Sequence, residues 1–363
     1  MDKNEIIASL KAKLGDSREE NEKIIKAEME KFAQEGNVEA LNAVNDLLME
    51  LMPEDRKKEI ERLTHIDGVR LDEMHARINK MIEEKQIIEA VPLAERLYKK
   101  VVLEFADTDK AKFVSLRNPF EDALCQILFP TDKVLNRTPF DFSTYLTTYA
   151  YLLVDTGANI DAIPILERAI EYNPVDVGPR FELAEIYKII RNKKMVLEVT
   201  RDTLKIASSP LAIGRCYANV GYALVDAQEY EDAAIFYTAS VMFAPDPALP
   251  MEMRHLAGLM GHPIQRPSPE KMIDTMKKYD IEYGPSQKVI EVASQLAMNY
   301  INDKDIPNAL NALKITYNLT LDEGVKDLIL RLDPNSPLLR PSVDNAAAEA
   351  NRSGIEKTEN SGE

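Results

Sequence analysis

Tryptophan is absent from the 363-residue chain, cysteine occurs only as Cys125 and Cys216, and glycine occurs only 13 times. Two distant thiols without a CxxC partner exclude a disulfide framework and a cysteine-built zinc cage, and they point to a reducing compartment. No apolar run approaches the roughly 20 residues needed to cross a bilayer. The opening Met1-Asp2-Lys3-Asn4-Glu5 runs into a charged amphipathic pattern, unlike a signal peptide. Cytoplasmic residence is therefore the expectation. Positive charge is scarce as well: 45 Lys and Arg stand against 61 Asp and Glu, a net charge of −16. A phosphate backbone or an anionic membrane surface is repelled by such a surface. The short runs Lys99-Lys100 and Arg191 to Lys194 carry no interleaved aromatics and read as solvated helix ends. Neither nucleic acid nor membrane is expected as a partner.

What is present is helical periodicity. With 45% hydrophobic residues the chain has ample material for a core. Apolar residues recur at helical spacing in almost every segment, and no strand is needed to account for the pattern. Gly36, Gly157, Gly261 and Gly284 fall where helices should end. Ser268-Pro269-Glu270 places a capping serine before a proline at the first helical position.

Self-similarity carries the most information. Ala90-Val91-Pro92-Leu93-Ala94-Glu95-Arg96 is similar to Ala162-Ile163-Pro164-Ile165-Leu166-Glu167-Arg168, and Ile306-Pro307-Asn308-Ala309-Leu310 echoes the same helix start. Ala90, Ala162 and Ala233 lie 72 and 71 residues apart, about twice a 34-residue period. The best unit has Tyr217, Val220, Gly221 and Leu224 in a first helix, then Ala233, Tyr237, Ser240 and Pro245. Another has Ala150, then Ala162, Leu166, Ala169 and Pro174. A degenerate copy keeps Leu183, Ala184 and Tyr187 but has Val196, Thr200 and Thr203 in its second helix. A further copy shows Leu296, Ala297, Tyr300, Ala309 and Leu313, with Leu321 in place of the closing proline. These units resemble the tetratricopeptide repeat, a helix pair with small residues where its helices cross. The resemblance covers residues 143–321 best and 26–105 weakly. It implies an all-α, right-handed helical-repeat solenoid, a tetratricopeptide-like α-α superhelix in which each pair covers its neighbour's apolar face.

The organisation expected from this reading has an N-terminal helical segment at 1–66, including a hairpin turning at Gly36-Asn37 with Ala40, Val44 and Leu47 inward. A degenerate repeat plus an inserted helix with loops follows at 67–140, and core repeats at 141–248. Residues 249–333 hold C-terminal helices with a further repeat-like pair, after a break rich in Pro and Met between 246 and 284. Residues 334–363, poor in apolar side chains, are expected to form a disordered tail.

Chemical motifs are sparse. His65, Asp67, Asp72 and His75 match no ligand spacing, and a turn at Asp67-Gly68 explains them. His255 and His262 read as loop histidines. Asn302-Asp303-Lys304-Asp305 lacks the glycine and the distal glutamate of a calcium loop. Phosphate-binding loops and serine-nucleophile elbows are absent. No enzyme activity, cofactor or metal is expected.

In the repeat family the first helix of each pair lines a concave groove. That resemblance implies a partner-binding face of Thr147, Tyr151, Phe181, Glu185, Lys188, Arg215, Asn219 and Tyr222, suited to an extended peptide or an amphipathic helix. One subtype grips a partner's terminal carboxylate with Lys, Asn and Arg. Arg215 and Asn219 fit that pattern, but Thr147, Tyr151 and Glu182 stand where Lys and Asn are required. The expected role is a scaffold or adaptor for protein–protein interaction. The alternatives are a chaperone-like client binder, favoured by acidity and the Met-rich run at 251–260, and, with less support, a helical enzyme with an unrecognised site. The partner's identity and the oligomeric state are left open by the sequence.

Overall fold

The computed structural model describes residues 3–15, 17–34, 36–244 and 247–337. It is all-helical apart from four short strands, with eighteen helices among the described residues. Pro245 and nearly all of the expected tail, 338–363, lie outside the described residues. The chain divides into two compact units, Met1–Glu73 and Met74–Glu363.

In the first unit, α1 (Lys3–Lys11) and α2 (Arg18–Gln34) pack on α3 (Val38–Leu51). Asn37 starts α3 by accepting the amide of Ala40 on its side chain at 3.0 Å, which satisfies one of the amides a helix start leaves open. The apolar stripe Ala40, Val44 and Leu47 is fully buried with Ile6, Leu10 and Ile25. Helix α4 (Glu54–Thr64) buries nothing. It leads into β1 (His65–Ile66), which turns through Asp67 and Gly68 at positive φ into β2 (Val69–Arg70), the geometry of a tight two-residue hairpin.

The second unit is built from helix pairs. Helices α5 (Leu71–Glu83) and α6 (Ile87–Glu104) come first. The hairpins α8 (Phe142–Asp155) with α9 (Asn159–Tyr172), α10 (Gly178–Ile189) with α11 (Lys193–Leu204), and α12 (Pro210–Asp226) with α13 (Tyr230–Phe243) follow. Sequential stacking joins them: α10 packs on both α8 and α9, and α12 on both α10 and α11. Each second helix buries the same triplet, spaced four then three residues: Ala90, Ala94, Leu97; Ala162, Leu166, Ala169; Val196, Thr200, Thr203; Ala233, Tyr237, Ser240; and, in α17 (Ile306–Thr320), Ala309, Leu313, Thr316. That spacing puts the three side chains on one helix face. Helix α17 pairs with α16 (Gln287–Asn302) and packs on α18 (Glu323–Leu332).

The crossing of α12 and α13 shows why small residues are required there. A Cβ on Gly221 would sit 2.5 Å from the Tyr237 ring, and one on Gly214 would sit 3.2 Å from the Ser240 carbonyl. Ser240 Oγ in turn donates to the Gly214 carbonyl at 2.8 Å. The helices approach so closely that a methyl group has no room.

Two regions differ from the sequence expectation. Residues 106–140 contain, besides α7 (Pro119–Leu128), a parallel pair of strands, β3 (Ala111–Val114) and β4 (Val134–Arg137). Four-residue strands are too short to show an alternation that stands out from helical periodicity. The insertion is bolted to the helix pairs: the Ser115 amide donates to the Tyr172 carbonyl at 2.7 Å, and α7 packs against α16. The supposed break after residue 246 holds two capped helices, α14 (Leu249–Met260) and α15 (Pro269–Lys278), both packed on α13. His255 accordingly sits on a helix and not in a loop.

Candidate partner-binding site

The predicted residues sit on the first helices, α8, α10 and α12, but in two different settings. Between α10 and α12 they form a ladder of side chains. Lys188 Nζ donates to Glu185 Oε1 at 2.7 Å and to Asn219 Oδ1 at 3.0 Å, and it lies 4.9 Å from the centre of the Tyr222 ring. One turn toward the helix starts, the Arg215 guanidinium covers the Phe181 ring at 4.4 Å and reaches Glu182 and Glu185, each at 3.8 Å. Six of the eight residues are thereby brought together. The register follows from helical spacing, since Phe181, Glu185 and Lys188 on α10 face Arg215, Asn219 and Tyr222 on α12.

Burial sorts them further. Tyr151 and Tyr222 are 42% and 41% exposed, whereas Phe181 and Asn219 are only 7% and 4% exposed. The two tyrosines offer ring surface to an incoming molecule. Phe181 and Asn219 serve as platforms for Arg215 and Lys188.

Each exposed tyrosine lies in a trough. Tyr151 and Thr147 line one of about 450 Å³ with Asn79 and Ile82 of α5, Thr144, Thr148, Arg117, Asp176, Gly178, Pro179 and Glu182. Thr147 turns its hydroxyl back onto the Ser143 carbonyl at 2.8 Å, leaving its methyl group as its contribution. Tyr222 lines the other, about 480 Å³, with Val225, Asp226, Tyr237, Met251, Glu252 and His255.

Arg117 is the residue that sequence reasoning missed. Its side chain bonds Glu121 Oε1 at 2.8 Å and lies 3.3 Å from Asp176 Oδ2. Partial burial works against its charge, but Glu121, Asp176 and Asp141 outweigh that and raise its pKa. The buried Asn173 completes the joint, donating to Glu121 Oε2 at 2.9 Å and to the Ser115 carbonyl at 3.2 Å. Arg117 also borders a separate cavity of about 370 Å³ between α7 and the α16–α17 pair, lined by Leu296, Tyr300, Asn308 and Ile315. A lone arginine in an inserted loop carries no spacing signal. Glu182, flanked by Arg215 and Glu185, has its pKa raised chiefly by burial, with Arg215 opposing.

The four residues once weighed as a metal set go separate ways. Asp72 is held by Arg70 at 2.6 Å, and His65 by the Thr64 hydroxyl at 2.9 Å. His75 stacks on Tyr145 with ring centres 4.3 Å apart, and its Nε2 lies 2.9 Å from Thr148 Oγ1. The Thr148 hydroxyl proton is given to the Thr144 carbonyl at 3.0 Å. Thr148 therefore accepts from His75, which fixes the neutral tautomer with the proton on Nε2. Burial lowers the His75 pKa to about 4.

No helix among the described residues is long and apolar enough to cross a membrane. No protein-family model matches the chain, and no curated protein matches it in sequence.

Proposed function

We propose that this protein is a tetratricopeptide-like scaffold or adaptor that holds a segment of a partner protein along the face made by its first helices. The observation that carries the reading is the placement of two troughs, about 450 and 480 Å³, at either end of the α10–α12 ladder, each presenting an exposed tyrosine. Tyrosine supplies a large contact area at small entropic cost, which suits it to anchoring a peptide. The buried triplet that recurs at one spacing supports the kinship with helical repeats. In the ladder the charged groups are engaged with one another, which supports binding over catalysis there.

The test is site-specific photo-crosslinking. A crosslinking residue at Tyr151 or Tyr222 should trap one and the same partner in cells, and a crosslinker at Glu171 on α9 should not. Trapping only from Glu171, or different proteins from the two groove positions, would sink the reading. A chaperone-like role finds support in the exposed Met251 at the rim of the second trough, because methionine adapts to varied apolar clients. Suppression of aggregation of several unrelated clients would favour that alternative.

A further inference from the structure

The two ends of the groove differ in how their charges are paired. At the α5 end, Arg117 is tied to Glu121 and Asp176. At the α14 end the trough has aromatic walls, Tyr222 and Tyr237, an apolar portion made by Val225 and Met251, the imidazole of His255, and two carboxylates, Asp226 and Glu252. Among the described residues the one cation paired with Asp226 is Arg191, at 3.7 Å, and that arginine's side chain is 81% exposed. Burial, and the Glu252 carboxylate nearby, raise the Tyr237 pKa. No Lys or Arg pairs with Glu252 among the described residues. Lys188 over the Tyr222 ring shows that this ring already accepts a cation. A carboxylate beside an aromatic face attracts an ammonium or guanidinium through both charge and ring quadrupole.

The groove as a whole has the same sign. Asp176, Glu182, Glu185, Asp226 and Glu252 line it against Arg117, Lys188 and Arg215, and each of those cations is already held by a carboxylate. A partner's terminal carboxylate or an acidic segment would be repelled.

We infer that the trough between α12 and α14 takes an Arg or Lys side chain from a partner segment whose neighbouring residues are apolar, with the cation between Asp226 and Glu252 against the Tyr222 ring. This rests on the groove reading above and specifies its occupant. The apolar neighbours lie along Val225 and Met251, and the acidic groove speeds encounter with a basic segment.

The experiment pans a random library of displayed peptides, roughly 12 residues long, against the full chain. Enriched sequences should carry Arg or Lys among apolar residues. Replacing that residue by citrulline or Glu in a synthetic copy should weaken binding by about tenfold or more. Glu252→Gln, which removes the charge at nearly the same volume, should weaken binding severalfold at unchanged helicity, and Asp226→Asn serves as a second variant. Enriched peptides without a basic residue, whose binding still depends on Tyr222, would overturn the cation inference and leave the groove standing. No enrichment, or binding indifferent to Tyr151→Ala and Tyr222→Ala, would overturn the groove reading itself.

Discussion

The pairs α12–α13 and α10–α11 stand next to each other and follow the same spacing, yet they close their crossings in different ways. At matching positions the first has Gly221 and Tyr237, the second Ala184 and Thr200, all buried. A large ring on one helix demands that its neighbour give up even a Cβ, whereas a small side chain opposite leaves room for alanine. The α12–α13 crossing is thus a fitted ring, with Tyr237 filling the space over Gly221. The α10–α11 pair is looser in chemistry: Thr200 Oγ1 and Arg180 Nε are buried without a hydrogen-bond partner among the described residues. The degenerate pair is also the one whose first helix carries Phe181, Glu185 and Lys188. Close packing is therefore kept at the α12–α13 crossing and relaxed in the pair that supplies half of the ladder.

Breaking the fitted ring should have the largest effect. Gly221→Val is expected to destabilise the protein by about 3 kcal/mol or more through overpacking, read by chemical denaturation. Combining Gly221→Ala with Tyr237→Leu imitates the Ala150 and Leu166 arrangement of α8 and α9. The double variant should be more stable than the sum of the single effects by about 1 kcal/mol or more. Strict additivity would show that Gly221 and Tyr237 are not matched to each other.

A third joint, between α5 and α8, adds a pH dependence that the two compared crossings lack. His75 titrates at about 4 when folded and at about 6.5 when unfolded. Below about 6.5 the unfolded chain takes up a proton that the folded protein refuses until near 4. The contribution is fully present above that range and is lost as the pH falls through it, up to roughly 3 kcal/mol. His75→Phe keeps a ring for stacking on Tyr145 and should flatten the loss of stability between pH 6.5 and 4 relative to the wild type. Parallel profiles would assign the acid sensitivity to other groups.

The looser pair offers the opposite sign. Thr200→Val replaces an unpartnered buried hydroxyl by a methyl of the same shape and should stabilise by about 1 kcal/mol. A loss of that size would show that Thr200 has a polar partner. The smallest change is expected from Lys188→Ala, within about 1 kcal/mol in stability, although it removes the link between Glu185, Asn219 and Tyr222. If its effect matches that of Gly221→Val, the ladder holds the pairs together and the comparison drawn above is wrong.

Much of the helical framework was legible because its signals are local and repeated. Asn37, Ser209, Asp305 and Asp322 each cap the helix that follows, and the buried triplets recur at one spacing. Part of the candidate site was legible for the same reason, since residues three and four apart on a first helix share a face. The split between exposed Tyr151 and Tyr222 and covered Phe181 was not legible, because it depends on where the Arg215 side chain lies. Arg117 and Glu252 were invisible as site residues, and Met251 was legible only as part of a Met-rich run. They come from an insertion and from a helix, α14, whose proline and methionine content hides it as a break.

The sequence by itself determined which segments become helices, which of their faces are apolar and how the pairs recur, since these follow from propensity, capping and period within a few turns of chain. Only the tertiary structure decided that α7 packs on α16 and that short parallel strands tie the insertion to α9. It alone set Asp226 and Glu252 in the same trough. Those outcomes join residues far apart in the chain, and such pairings are set by shape and charge in three dimensions, which no local pattern encodes.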